Sequence, residues 1–158
     1  MCVLKGGTRV AEGDGEEQTA ADLTRTPDVF ISYASQDAGI ANAVVTALER
    51  GGLRCWIAPR DVTPGALYAD EIIRSINGAK VMVVVLSGSA VASHHVGKEV
   101  ERASSKRRPI IALRTDAASL TTALEYFLSE SQWIDLSAEG TEAAFAKPVQ
   151  NRALAVLK

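Results

Sequence analysis

Aromatic side chains are scarce in this chain of 158 residues: two Trp, three Tyr and three Phe, 5% of the total. Its hydrophobic residues reach 47%, so any core must be built from aliphatic and alanine side chains. An excess of basic charge is also missing. Seventeen Lys and Arg face nineteen Asp and Glu, for a formal charge of −2, which argues against a dedicated nucleic-acid binder with a basic face. No apolar run approaches the roughly 18 residues that cross a bilayer, and residues 1–5 lack the apolar stretch of a secretory signal. Neither nucleic acid nor membrane is an expected partner. Cys2 and Cys55 make no metal-ligand spacing, and a bridge would join a loose terminus to a strand. Both are expected to be free thiols in a reducing, cytoplasmic compartment. His94 and His95 have no Cys or carboxylate at a convincing metal spacing and read as an exposed loop pair, so no metal site is expected. A Gly-x-Gly-x-x-Gly run is absent after the first apolar segment, which removes the Rossmann dinucleotide fingerprint. There is no internal repeat.

What is present falls into three parts. Residues 1–27 carry Gly6, Gly7, Gly13 and Gly15 with an acidic cluster at Glu12, Asp14, Glu16 and Glu17. This composition buries little and reads as a flexible arm, with room for a short helix over 20–24. From Asp28 the pattern becomes an alternation of strands and helices. Strands are expected at 29–31, 53–57, 81–86, 110–113 and 132–134, the first a short β-rich apolar run that reads as buried on both faces, as in a parallel sheet. Helices are expected over 40–48, 68–77 with Ile72, Ile73 and Ile76 inward, 96–105, and 117–128. Ser35 is the expected N-cap of the first and Gly51-Gly52 its stop. Residues 137–158 form a C-terminal helical segment packing on or extending the domain, with Pro148 kinking or dividing a helix over 141–157. The shortness of the chain beyond the fifth strand also fits an excerpt of a longer protein.

Alternating strands and helices imply right-handed crossovers and a parallel sheet with helices on both faces. The fold class is therefore α/β, a flavodoxin-like, doubly wound, five-stranded sheet spanning residues 28–136. Ligands of such sheets bind beyond the carboxyl ends of the strands, which selects the loops 32–37, 58–67 and 87–95. A flavodoxin-like response regulator would carry a phosphoacceptor Asp after the third strand; Leu86-Ser87 stands there instead.

Ordered motifs add a family resemblance. Asp28-Val29-Phe30-Ile31-Ser32-Tyr33 with Asp37, then Gly52-Leu53-Arg54-Cys55-Trp56-Ile57-Ala58-Pro59-Arg60-Asp61 with Pro64-Gly65, then Val83-Val84-Val85-Leu86-Ser87, Glu99-Val100-Glu101-Arg102-Ala103 and Gln132-Trp133-Ile134-Asp135 together resemble the TIR (Toll/interleukin-1 receptor) domain, in the style of bacterial members. The resemblance implies one of two functions. Some TIR domains cleave NAD+ between nicotinamide and ribose, releasing nicotinamide and ADP-ribose or a cyclised isomer, in bacterial immune or virulence signalling. Others are non-enzymatic scaffolds that bind further TIR domains. Self-association through loop 58–67 would serve either. NAD+ would be the substrate, with no separate cofactor.

In enzymatic members a glutamate in the helix after that loop supports catalysis. The positional match is Glu71, with Asp70 as the local competitor. A carboxylate near the ribose can stabilise the ribosyl cation left when nicotinamide departs. The competing reading is that Asp70 and Glu71 complement the dipole of a helix N-terminus. Tyr68 stands where bacterial enzymatic members often place a tryptophan, and reads either as a platform for a substrate ring or as a packing residue. Strand-end geometry adds Ser32 and Tyr33 as ligand contacts, Arg60 as a pyrophosphate partner or a partner of Asp61, and Ser87 as a ribose contact or a cap. Trp56 reads as strand core and Asp37 as a first-turn helix residue.

Overall fold

Side chains on a strand alternate between the two faces of a sheet, and here that alternation sorts one chain into two apolar layers. The computed structural model describes residues 26–136, 149 and 151–155. Five strands, β1 (Val29–Ser32), β2 (Cys55–Trp56), β3 (Val81–Leu86), β4 (Ile110–Arg114) and β5 (Gln132–Asp135), form one sheet in the order β2-β1-β3-β4-β5. Every pairing is parallel; β1 lies in the middle of one half, with Val29 opposite Cys55 on one side and Val81 on the other. Val29, Ile31, Val81, Val83, Val85, Ile111 and Leu113 face one layer, and Phe30, Met82, Val84, Leu86, Ile110 and Ala112 the other. Burial on both faces explains why β3 is an unbroken run of apolar residues.

Helix α1 (Ala38–Arg50) covers the first layer through Ala41, Val44, Val45 and Leu48. Helices α2 (Tyr68–Gly78), α4 (His94–Ser105) and α5 (Thr122–Phe127) cover the second through Ile76, Val96, Val100, Ala103 and Leu124. A single turn, α3 (Gly88–Val91), follows β3. Gly52 ends α1 at φ 90°, a left-handed conformation that favours glycine. Residues 149 and 151–155 are helical, and Val149 and Ala153 are buried in the same layer as α1. Arg152 there donates to the Trp133 carbonyl at 3.1 Å. The expected arm, apart from residues 26 and 27, and the expected kink at Pro148 lie outside the described residues.

Four local expectations change. Ser35 does not cap α1. It opens a 3-10 turn, Ser35–Asp37, and Asp37, the residue before α1, makes no side-chain cap bond because its carboxylate is engaged by Ser87. Strand β2 keeps only two residues, since it is an edge strand paired with the start of β1 alone. Ile73 is 41% exposed rather than inward, at the solvent edge of the stripe that carries Ile72 and Ile76. Helix α5 starts only at Thr122, where the Thr121 side chain accepts from Leu124 N–H.

Candidate functional site

The strand order reverses between β1 and β3, because the chain leaves β1 towards β2 and returns on the other side. Loops leaving those two strands diverge at that point and open a crevice. The crevice is a cleft of about 830 Å³ at the carboxyl ends of β1, β2 and β3. Its base is aromatic: Phe30 and Trp56 stack with centroids 5.2 Å apart and planes within 8°. Tyr33 and Tyr68 line the side nearest loop 58–67, and Ser93, His95 and Glu99 line the side formed by α4.

Glu99 is the carboxylate of this cleft. It belongs to the inward stripe of α4, three residues after Val96 and four before Ala103, so the helix that packs on the sheet carries the carboxyl inward with it. Ser32 shares its strand face with Phe30, is 1% exposed, and donates its hydroxyl to Glu99 Oε1 at 2.7 Å. Burial pushes the Glu99 carboxyl up to about 7, against the opposing pull of the Ser32 hydrogen bond. Tyr33 donates to the Ala58 carbonyl, which ties loop 58–67 to β1. Its phenol is held above the usual range by burial, then by Tyr68 and Glu99. A half-buried carboxylate above an aromatic base can face a positively charged sugar carbon while a planar ring stacks beside it.

A family model described as TIR domain matches residues 29–149. The chain belongs to the TIR domain family. The TIR domain of the Toll-related receptor TRR-2 from Hydra magnipapillata superposes with a TM-score of 0.68 at 26% identity, over 81% of this chain and 98% of that one. A CMP N-glycosidase from Clostridium botulinum shares the fold at a TM-score of 0.59 and 16% identity, over 78% of this chain and 98% of that one. Toll-like receptor 12 of Mus musculus is 32% identical over 84 residues, 49% of this chain and 9% of the receptor. The chain therefore spans a small part of that relative's length.

Within this TIR domain the expected site residues divide. Tyr33 and Tyr68 line the cleft, and Ser32 lies beneath it, reaching it through Glu99. Glu71 is not among the lining residues. Its Oε1 accepts from Thr63 N–H at 2.7 Å and its Oε2 lies 3.6 Å from Arg74, so it fastens loop 58–67 to the start of α2. Arg60 is likewise outside, held by Glu49 at 2.9 Å, Asp61 at 2.8 Å and the Cys55 carbonyl at 3.1 Å. Hydrogen bonds to Asp61 and Glu49 hold its guanidinium above even the usual arginine range. Ser87 caps α3 by accepting from Ala90 N–H at 3.1 Å and donates to Asp37; it braces the two loops that flank the cleft without lining it. Trp56 is both strand core and cleft base.

Glu99 and His95 are the cleft residues that motif matching passed over. The signal for Glu99 was a carboxylate on an apolar helical stripe, in a segment read only as family helix. His95, expected in a loop, lies in the first turn of α4. Among the described residues no cluster of His, Cys, Asp and Glu could hold a metal ion, and no helix is long and apolar enough to cross a membrane.

Proposed function

We propose that this TIR domain cleaves NAD+ at the bond between nicotinamide and ribose, with Glu99 rather than Glu71 as the catalytic carboxylate. The observation that carries the reading is Glu99, hydrogen-bonded to Ser32 and lining an aromatic-based cleft at the switch point of the sheet. The C1′–N bond breaks with both electrons leaving on nicotinamide, which becomes neutral. The ribosyl cation left behind faces the Glu99 carboxylate. Water then adds at C1′ and loses a proton to give ADP-ribose, or an adenine nitrogen of the same molecule adds to give a cyclic isomer. In this reading Tyr68 and Trp56, which line the cleft, stack on planar rings of the substrate. A fold neighbour whose name describes cleavage of a nucleotide N-glycosidic bond is consistent with this chemistry. No metal or second cofactor is needed. In this reading the domain is of the bacterial kind, acts in the cytoplasm in immune or virulence signalling, and is activated by self-association through loop 58–67.

The test is nicotinamide release from NAD+ by concentrated protein, followed by chromatography. Wild type is expected to release it, faster as pH rises through about 7 while Glu99 ionises. Glu99→Gln should lower the rate by about a hundredfold, in the range of a lost transition-state contact, whereas Glu71→Ala should still turn over. No release from concentrated wild type would instead favour a non-enzymatic TIR–TIR interaction module. That second reading draws on Leu67, Tyr68 and Ile73, which are 71%, 50% and 41% exposed at the loop and the adjoining helix.

A further inference from the structure

Four side chains that line the cleft can titrate: Tyr33, Tyr68, His95 and Glu99; none of the lining residues is Lys or Arg. His95 and Glu99 stand four residues apart on α4, so they are neighbours on one helix face. The other lining residues carry no charge; the charged groups next to them are Asp37, which follows Gln36, Lys98, which precedes Glu99, and Asp116, which accepts from Gly88 N–H at 2.9 Å. The loop after β1 offers Ser35 and Gln36 beside Tyr33, loop 58–67 offers Ala58 and Pro59, α2 offers Tyr68, and the turn after β3 offers Gly88, Ser89 and Ala92. Arg60, expected as a pyrophosphate partner, is held instead by Glu49 and Asp61. The cleft is thus a site of one carboxylate and no permanent cation, complementary to a positively charged ligand. Its charge balance has a single cationic variable, the imidazole of His95, the side-chain type that changes charge between about pH 5 and 8.

We propose that His95 sets the charge selectivity of the cleft: neutral, it admits an N-glycoside with a cationic base beside Glu99, and protonated, it cancels the carboxylate and excludes that base. The proposal rests on the NAD+ reading for its reaction, and on cleft geometry for its charge argument. A ribosyl cation gains from Glu99 only while no second positive charge stands one helical turn away. Active protein then needs two deprotonated groups, Glu99 and His95, where a domain lacking the histidine needs one.

The experiment is a pH series of nicotinamide release from NAD+, from pH 5 to 8, for wild type, His95→Gln and His95→Lys, with folding checked by circular dichroism at each pH. Each protein is compared with itself at pH 8, so absolute rates do not enter. Wild type is expected to lose at least tenfold more activity than His95→Gln between pH 8 and pH 5, since only wild type carries in the cleft a side chain of the type that gains a positive charge in that range. His95→Lys, with its fixed charge, should be at least tenfold slower than His95→Gln at pH 8. Equal pH ratios for wild type and His95→Gln, or equal rates for the Lys and Gln variants, would overturn the proposal. If no protein releases nicotinamide, the NAD+ reading fails, and binding of the 1-methylnicotinamide cation followed by NMR decides the His95 question alone. Weakening from pH 8 to pH 5 that is greater in wild type than in His95→Gln supports it, and identical weakening, or no binding to either, overturns it.

Discussion

Outside the fold a glutamate releases its proton near pH 4.5; inside this one, burial holds the Glu99 proton up to about 7. Between those values the folded domain keeps a proton that the unfolded chain has lost, so stability falls as pH rises across the window. Above pH 7 the folded state contains an ionised carboxylate in a half-buried site, with Ser32 as its hydrogen-bond donor. Glu99→Gln keeps an acceptor for Ser32 and removes the charge. It is therefore expected to be more stable than wild type by on the order of 2 kcal/mol at pH 8, with the difference vanishing near pH 4. Urea unfolding at the two pH values measures this, and a difference that is constant with pH would contradict it. The same carboxylate would then lower stability and supply chemistry, a common trade at functional sites. Cys55 has the opposite character: burial first, and then the Glu49 carboxylate, push its thiol up to about 12, so it acts as a small core residue.

Glu71 ties one element to another. Its bond to Thr63 N–H joins the exposed tip of loop 58–67 to the first turn of α2. The start of the loop is fixed separately, by Tyr33 on the Ala58 carbonyl and by Asp61 accepting from Ile57 N–H at 2.9 Å. The loop is thus pinned at its root and latched once near its tip. Glu71→Ala should speed amide hydrogen exchange at Thr63 by about tenfold or more, the loss of one charge-assisted hydrogen bond, while amides at the root stay protected. Uniform acceleration across the loop would mean that Glu71 holds the whole segment. The position of Glu71 in the first turn was legible from sequence, and so was the choice between a helix-terminus role and a catalytic one. What was not legible was a loop amide eight residues earlier reaching the carboxylate, because loop conformation follows from tertiary anchoring and not from local propensity.

At the scale of the whole molecule, stability and site draw on different parts of the same sheet. Leu113 is fully buried in the layer beneath α1, away from the cleft. Leu113→Ala is expected to cost about 2–5 kcal/mol through lost transfer energy and the cavity left behind. Tyr126→Ala, at a position 75% exposed, should stay within about 0.5 kcal/mol of wild type. Denaturant midpoints at constant m-value distinguish the two. The cleft, by contrast, depends on separations that only assembly closes: Ser32 and Glu99 are 67 residues apart in the chain and 2.7 Å apart in space.

The sequence by itself determined the layered sheet, since short apolar strands alternating with helices that carry one apolar stripe have few other ways to bury both patterns. It determined the five strands and their place in the chain, the three loops at the carboxyl ends, and the ordered motifs of the TIR family. Only the tertiary structure decided which carboxylate the cleft receives. Two glutamates, Glu71 and Glu99, lie on successive long helices beside the same loops, and local pattern places both near strand ends. The packing of Val96, Val100 and Ala103 against the sheet turns Glu99 in towards Ser32, whereas the fold of loop 58–67 over α2 gives Glu71 to Thr63. Which side chain faces a shared crevice is a property of how elements pack on one another, and that information is spread over the whole chain.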